Sequence, residues 1–258
     1  MNNIKSIIIS AGEILKKRYF EKTDHSIKEK YHLLSEVDVE MHNYLSTELK
    51  ILYPNHVIDS EENEIDNSSN KRKLIIDPID GTTNFICGKP YFTISVAIEE
   101  NQEIIEGYVY NPISEEFFVS NTKANKSFLN GEEIKVSEER LDNSIFVLGL
   151  SFNPTKYNEY MSEWESVLLK TKKCLFWTAP AQTICNIACG RLNCFIDMGC
   201  STHGQSAASL ILKNAGGYLT NYDGTEYSHN LEGIIATSPN LYEEIEKLNP
   251  SKLDAFCY

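Results

Sequence analysis

The chain has 258 residues, of which 41% are hydrophobic and 24% charged, and its 37 acidic and 24 basic side chains give a formal net charge of −13. This length can bury a full core, as one large domain or as two packed halves. Such an acidic surface repels nucleic acid, anionic membranes and phosphorylated molecules. We therefore expect neither nucleic acid nor a membrane as a partner. Wherever a phosphate binds, we expect bound cations to offset the repulsion.

The sequence has none of the patterns that direct a chain into or across a membrane. No apolar run approaches the roughly 18 residues of a membrane span. Charges at Glu13, Lys16 and Lys17 interrupt the apolar pattern of residues 1–20, which does not suit a signal peptide. The seven cysteines include no C-x-x-C pair and indicate reduced thiols rather than a zinc site or a disulfide framework. We therefore expect a cytoplasmic protein.

Residues 1–140 predict helices packed on an antiparallel sheet. Apolar residues at helical spacing predict helices over 4–15 and 37–52. The polar stretch 63–73 is typical of a mobile flap. Alternating patterns predict strands over 93–99, 104–110 and 116–120, and Asn130-Gly131 predicts a hairpin.

The composition changes near Asp142, and from there strands alternate with helices, which predicts an α/β half over residues 141–258. Apolar runs predict strands over 145–150, 174–176, 192–196 and 218–220. Helices are predicted over 157–168, 181–189 and 205–215, and glycines end the last two. We expect the two halves to form one compact unit.

The most informative stretch is Leu74-Ile75-Ile76-Asp77-Pro78-Ile79-Asp80-Gly81-Thr82-Thr83-Asn84-Phe85. Its apolar start predicts a short buried strand, and Asp-Pro suits a tight turn that would aim Asp77 and Asp80 at one point. Two converging carboxylates need a positive charge between them, usually a divalent cation. Gly81 and Thr82 would then open a helix whose free N–H groups can receive a phosphate. An ordinary Asp-Pro turn with an Asp helix cap explains the bare Asp-Pro-x-Asp-Gly pattern equally well.

The whole string from Asp77 to Phe85 resembles the first signature of the inositol monophosphatase family, Mg-dependent phosphomonoesterases that share a metal site with fructose-1,6-bisphosphatase. The resemblance implies the layered α-β-α-β-α sandwich of those enzymes, two or three Mg²⁺ ions with Mn²⁺ as an alternative, and a homodimer. It implies metal ligands at Glu61, Asp77, the Ile79 carbonyl and Asp80, with Glu62 beside them.

The same resemblance implies that Thr82 orients the attacking water and that Asp38 accepts a hydrogen bond from Thr82. Asp38 also suits the first turn of a helix without any catalytic role. The implied substrate contacts are Gly81, Thr83, Thr178, Ala179 and Asp197.

Two positions depart from the family pattern. The second signature ends in Ala215-Gly216-Gly217, and its initial Trp-Asp pair falls on His203 and Gly204 when counted back without a gap. The carboxylate that completes the second metal site is therefore missing. Mg²⁺ commonly makes do with one or two carboxylates plus waters and phosphate, so we expect a weakened rather than an abolished site. His203 could ligate a softer metal, although a lone histidine is more often structural. Pro180 is the second departure.

Two hypotheses of function follow. The first is a Mg-dependent phosphatase that hydrolyses a small sugar or inositol monophosphate, its activity weakened by Gly204. A close variant would act on 3′-phosphoadenosine 5′-phosphate, but Thr83-Asn84-Phe85 resembles the inositol and sugar members more. The second hypothesis is a degenerate family member that binds a phosphorylated ligand or a protein partner with little turnover. Gly204 and Pro180 favour it, and the intact acids of the first half oppose it.

Overall fold

The structure, a computed structural model, describes residues 3–21, 25–29, 32–62, 72–149 and 154–248. The α-helices in these ranges are α1 (Ile4–Phe20), α2 (Glu36–Leu52), α3 (Thr82–Ile86), α4 (Tyr157–Leu168), α5 (Pro180–Ala188), α6 (Thr202–Asn214) and α7 (Pro239–Leu248). Among the described helices, none has the length and apolar character needed to cross a membrane.

The strands are β1 (His25–Glu29), β2 (His32–Ser35), β3 (Val57–Ser60), β4 (Arg72–Asp80), β5 (Thr93–Glu100), β6 (Glu103–Asn111), β7 (Glu116–Asn121), β8 (Lys126–Leu129), β9 (Glu132–Glu133), β10 (Ile145–Leu148), β11 (Lys173–Phe176), β12 (Cys194–Asp197), β13 (Tyr218–Asn221) and β14 (Ile234–Thr237). Strands β1 and β2 form a separate antiparallel pair.

Strands β3 to β9 form a seven-stranded sheet in chain order. It is antiparallel except at one edge, where β3 runs parallel to β4. The alternating sequence pattern predicted the antiparallel part but could not reveal the parallel edge, because side chains alternate between faces in either orientation. Helices α1 and α2 cover one face and bury residues spaced by three and four, Ile4, Ile7, Ile8, Ala11 and Leu15 from the first and Val37, Met41, Leu45 and Leu49 from the second.

The second half contains a five-stranded sheet in the order β11-β10-β12-β14-β13. Strand β10 runs parallel to both β11 and β12, whereas β14 is antiparallel to β12 and β13. The carboxyl ends of β10, β11 and β12 therefore lie at one edge of this sheet. Helices α4 and α7 pack on its outer face through Trp164 and Ile245.

Helices α5 and α6 lie between the two sheets. Their apolar side chains, among them Ile184 and Ile211, join one core with Ile75 and Val109 of the seven-stranded sheet and Phe195 of the five-stranded sheet. The order of layers is helix, sheet, helix, sheet, helix, which confirms the predicted sandwich.

Several boundaries differ from the sequence-based expectation. Strand β4 begins at Arg72, so residues 72 and 73 belong to a strand and not to the predicted flap, whose remaining residues, 63–71, lie outside the described residues. Helix α6 begins at Thr202 because the Ser201 hydroxyl caps it by accepting the Gly204 N–H. Strands β1, β2 and β14 and helix α7 were not predicted.

Candidate active site

A bulge in β4 presents Asp77 and Asp80. The strand continues through Pro78 to Asp80 instead of ending in the predicted tight turn, and its register against β5 shifts between Asp77 and Asp80. A bulge tolerates proline, which has no N–H to give to the ladder. The Ile79 N–H donates to Asp77 Oδ1 over 3.1 Å, so Asp77 accepts a local bond. Both carboxylates are buried.

Asp80 is held from the second half of the chain by the start of α5. Its Oδ2 atom accepts the Gln182 N–H and the Thr93 hydroxyl, each over 3.0 Å. Burial raises the pKa of Asp80 to about 7, although these bonds and one from the Ala181 N–H oppose the rise. The other oxygen, Oδ1, is buried and has no hydrogen-bond partner among the described residues. An orphaned carboxylate oxygen of this kind requires a further partner.

Asp77 lies in a cluster of acids. Burial raises the pKa of Asp77 well above its usual value, and the nearby charges of Glu61, Asp80 and Asp38 raise it further. Glu61 follows the last residue of β3, and its N–H donates to the Ile76 carbonyl over 3.1 Å, which sets it beside the end of β4. Like charges gathered in a buried place are stable only when protonated or neutralised by a cation.

The donor set suits a hard divalent cation. All of its members are oxygens, from the carboxylates of Asp77, Asp80 and Glu61 and the Ile79 carbonyl, which Mg²⁺ prefers. Within the described ranges, no three His, Cys, Asp or Glu side chains are arranged so that they could hold a metal ion. Asp77, Asp80 and Glu61 thus do not stand as a preformed three-carboxylate site, and a Mg²⁺ ion held by one or two of them would need waters and phosphate to complete its shell. The buried Asp80 Oδ1, which lacks a hydrogen-bond partner among the described residues, suits a ligand of such a cation.

Helix α3 brings Thr82 to the acids. The Thr82 hydroxyl lies 3.0 Å from the Ile79 carbonyl oxygen and 3.5 Å from Asp38 Oδ1, the latter at the limit of a hydrogen bond. Asp38 lies in the first turn of α2 and is buried, so it is placed by the helix that packs on the sheet.

The two halves of the chain touch at Gly81. Its backbone is left-handed, with φ of 92°, and an added Cβ would lie only 2.7 Å from the Cβ of Ala179 and 3.0 Å from the Tyr91 carbonyl oxygen. The Asn84 amide donates to the Thr178 carbonyl over 3.3 Å. The predicted substrate residues Gly81, Thr178 and Ala179 are therefore neighbours, and Thr83 is exposed beside Gly81.

Asp197 ends β12 and is buried, with its Oδ1 atom accepting the Gly199 N–H over 2.9 Å. The nearby Cys200 thiol lies close both to Asp197 and to the acids of the candidate site. Burial raises the pKa of Cys200 well above its usual value, and the charges of Asp197, Asp80, Asp77 and Glu61 raise it further. Asp197 thus belongs to the same region of the molecule as the acids of β4.

Gly204 faces the acids across the gap between the halves. A Cβ at this position would lie 3.6 Å from Asp77 Oδ2 and 3.2 Å from Ser201 Oγ. The neighbouring His203 does not fill the gap, because its Nε2 atom is engaged with Asp59 Oδ1 at 3.0 Å.

Glu62, next to Glu61, is half-buried.

Three supporting residues were not predicted. Thr93 and Gln182 hold Asp80, and the His42 imidazole is hydrogen-bonded through Nδ1 to the hydroxyl of Ser60, the residue before Glu61, over 2.8 Å. A polar residue within a strand or helix pattern has no distinctive spacing, so nothing in the sequence could have identified these contacts. Pro180 was a usable signal, because proline favours the first position of a helix and here begins α5.

Comparison with known proteins gives one consistent result. A family model described as "Inositol monophosphatase family" matches residues 2–252. The inositol monophosphatase of Dictyostelium discoideum is 30% identical over 250 residues, which cover 94% of this chain and 92% of that protein.

Two solved structures resemble the fold over most of both chains. The extragenic suppressor protein suhB of Bartonella henselae has a TM-score of 0.88 at 26% identity, covering 95% of this chain and 96% of its own. The IMPase of Thermotoga maritima has a TM-score of 0.84 at 25% identity, covering 96% of each chain.

Proposed function

This chain belongs to the inositol monophosphatase family, and from that premise we propose that it is a Mg²⁺-dependent phosphatase of a small sugar or inositol monophosphate. The observation that carries the proposal is the buried group of acids on β4 with one orphaned carboxylate oxygen, Asp80 Oδ1. Such a group needs a cation, and a cation lets an acidic chain bind a phosphate.

The residues that would hold the cations are Asp77, Asp80, Glu61 and the Ile79 carbonyl. Bound there, Mg²⁺ would neutralise charge on the phosphoryl oxygens and lower the pKa of the attacking water. Gln182 and Thr93 keep Asp80 Oδ2 occupied, so only Oδ1 remains for a new partner.

Thr82 would orient the attacking water. Its hydroxyl has one proton and two acceptors within reach, the Ile79 carbonyl and Asp38. If a cation is held by the Ile79 carbonyl, that oxygen is no longer available, and Asp38 would become the better acceptor for the Thr82 hydroxyl proton. The Thr82 oxygen is then free to accept a hydrogen bond from water, and this would prepare the water for attack. The phosphate would lie beside the N–H groups at Gly81 and Thr83, where α3 begins.

The test is phosphate release from a panel of sugar, inositol and nucleotide phosphates with and without Mg²⁺. We expect Asp77→Asn to abolish Mg²⁺-dependent turnover, because a neutral amide cannot hold two cations together. Asp223→Asn, an exposed aspartate outside the site, is the matched control and should keep full activity. Wild-type turnover in Asp77→Asn would remove the basis of the proposal.

A second candidate function is the binding of a phosphorylated ligand or a protein partner with little turnover. Gly204 favours it, because no side chain stands opposite Asp77 at that position. A wild-type protein that binds Mg²⁺ but releases phosphate from no member of the panel would support this second function and not the first.

A further inference from the structure

The start of α5 decides how Asp80 is oriented. The Gln182 N–H donates to Asp80 Oδ2 over 3.0 Å, and the Ala181 N–H bonds to the same carboxylate. Both donors are backbone groups of α5, which belongs to the second half of the chain, whereas Asp80 lies on β4 of the first half. Hydrogen bonds weaken steeply when their distance or angle changes. Asp80 therefore keeps its orientation only if the first turn of α5 is fixed against the seven-stranded sheet.

The Gln182 side chain fixes this turn. Its Oε1 atom accepts the Asn111 side-chain amide over 2.7 Å, and Asn111 is the last residue of β6 in the seven-stranded sheet. Both residues are only 2% exposed. Leaving a buried amide without its partner costs more free energy than making the bond gains, so the contact is hard to give up. Gln182 thus bonds to Asp80 through its backbone and to the sheet through its side chain.

Asn111 is itself held in one orientation. Its Oδ1 atom accepts the N–H groups of Ile113 over 2.8 Å and Ser114 over 3.1 Å, in the turn between β6 and β7. Its amide also donates to the Pro90 carbonyl over 3.3 Å. Turning the amide over would set its donors against the two N–H groups of the turn, so Asn111 faces Gln182 with a donor. The sheet therefore offers α5 a donor in a fixed position.

The same residue borders the proposed phosphate position. Pro90 is followed by Tyr91, whose carbonyl oxygen accepts the Asn84 amide over 2.7 Å and would lie 3.0 Å from a Cβ on Gly81. Asn111 therefore contacts both the segment that packs against Gly81 and the helix that orients Asp80. A change at Asn111 should then affect the site and not only the stability of the fold.

We propose that Asn111 and Gln182 are positioning residues of the candidate cation site. Asn111, acting through the Gln182 side chain, keeps the first turn of α5 where its N–H groups saturate Asp80 Oδ2 and leave Oδ1 for the cation. Without this anchor the start of α5 can shift, and Asp80 spreads over several orientations. A cation then binds only the fraction of molecules with the right orientation, which lowers its apparent affinity. This inference rests on the proposed function and deepens it.

Gln182→Met removes the anchor but keeps the group that holds Asp80. Methionine has a similar length and is at most a weak acceptor, while the backbone N–H remains. We expect the Mg²⁺ midpoint, followed by Tm, to rise about fivefold, as for the loss of one hydrogen bond. In the metal-free protein, hydrogen exchange of the residue 182 amide should accelerate about fivefold as well. The kcat at saturating Mg²⁺ should stay within about twofold of wild type, because the bound cation restores the orientation.

Asn111→Ser tests the other side of the contact. The serine hydroxyl can accept from the turn, but the side chain is too short to reach Gln182. This variant should raise the Mg²⁺ midpoint as Gln182→Met does. The double variant should weaken Mg²⁺ binding no more than the stronger single change, because both changes remove the same contact.

Asn214→Ala is the matched control. It removes a 2.8 Å bond to Ser120 that joins the end of α6 to β7, about 15 Å along α6 from Gly204. We expect a lower Tm with an unchanged Mg²⁺ midpoint. A shift in Asn214→Ala as large as that in Gln182→Met would show that any loosening of the layers weakens the site, and would overturn the inference.

Two further outcomes separate the inference from the proposed function. Wild-type protein whose Tm responds to Mg²⁺, with the same midpoint and the same residue 182 exchange rate in Gln182→Met, overturns the positioning role alone. Wild-type protein whose Tm does not respond to Mg²⁺ overturns the proposed function, and the inference with it.

Discussion

Asp77 and Asp80 are the same residue type three positions apart in one strand, yet their surroundings differ. Asp80 has one oxygen saturated by the start of α5 and Thr93 and one oxygen orphaned. Asp77 accepts a local bond from the Ile79 N–H and is crowded by Glu61 and Asp38. Asp80 is thus oriented before any ligand arrives, whereas Asp77 depends on a cation to offset its neighbours.

At the same scale, we expect Thr82→Ala to lower kcat by about 10²-fold or more while leaving Mg²⁺ affinity within about twofold, because the change removes water orientation and no ligand. The measurements are kcat at saturating Mg²⁺ and a Mg²⁺ titration followed by Tm. Thr82→Ser keeps a hydroxyl and should recover most of the loss. Collapse of Mg²⁺ affinity with kcat retained would show that the role given to Thr82 is wrong.

Gly204→Asp should tighten Mg²⁺ binding. An added Cβ would be tight against the Ser201 hydroxyl at 3.2 Å, which must give by a few tenths of an ångström, and the new carboxylate would face Asp77. Without metal, repulsion from Asp77 makes the variant neutral or less stable. With Mg²⁺ bound, the variant becomes more stable than without it, because a ligand that binds only the folded state stabilises that state by mass action. We expect a larger Mg²⁺-induced rise in Tm than in wild type, and higher activity if the missing acid limits turnover.

Gly204→Asn supplies the same shape without the charge and should show neither effect. Equal Mg²⁺ affinity in wild type and Gly204→Asp would mean that residue 204 does not complete the second site.

At the scale of elements, α2 and β3 are tied together next to the site. Helix α2 carries Asp38 and, one turn later, His42, and His42 bonds to Ser60 at the end of β3. Burial lowers the pKa of His42, so its imidazole is neutral at pH 7. The Ser60 side chain is fully buried, and its hydroxyl depends on this bond. The contact therefore sets the spacing between the element that carries Asp38 and the strand that leads to Glu61.

We expect His42→Leu to weaken Mg²⁺ binding about fivefold, which corresponds to the loss of one hydrogen bond of about 1 kcal/mol. His42→Asn places a polar atom where Nδ1 stands and should restore the wild-type midpoint. The measurement is the Mg²⁺ midpoint by Tm, repeated in the Ser60→Ala background. A similar loss from His42→Leu in both backgrounds would show that the effect does not pass through Ser60.

At the scale of the whole molecule, charge opposes the proposed substrate. A net charge of −13 repels a phosphate monoester, and the bound cations act only at short range. Raising the ionic strength from about 0.01 M to about 0.15 M shortens the Debye length from about 30 Å to about 8 Å, so the repulsion is screened.

We therefore expect kcat/KM at saturating Mg²⁺ to rise over this range by up to about tenfold, with kcat unchanged, because salt alters the encounter and not the bound state. Initial rates at several salt concentrations measure it. A decrease in kcat/KM would instead indicate that a local positive field attracts the substrate.

The sequence alone indicated the elements that carry a clear local pattern, and the family resemblance of one string implied the layers and the site acids. Apolar spacing of three and four predicted α1 and α2, and the string from Asp77 to Phe85 identified the family that the comparisons confirm. Elements with weak periodicity were missed, such as β14, a fully buried strand of four residues, and the β1–β2 pair. Short runs of this kind carry too few residues to show a period.

Only the tertiary structure decided which groups meet. The contacts that decide the site join residues far apart in the chain. The start of α5 holds Asp80, Ala179 packs against Gly81, His203 pairs with Asp59, and Trp177 is exposed beside Tyr91. A sequence pattern reports the period of one element, which is set by its own backbone. The partner of a side chain depends on how separate elements pack, and packing is a property of the folded chain as a whole.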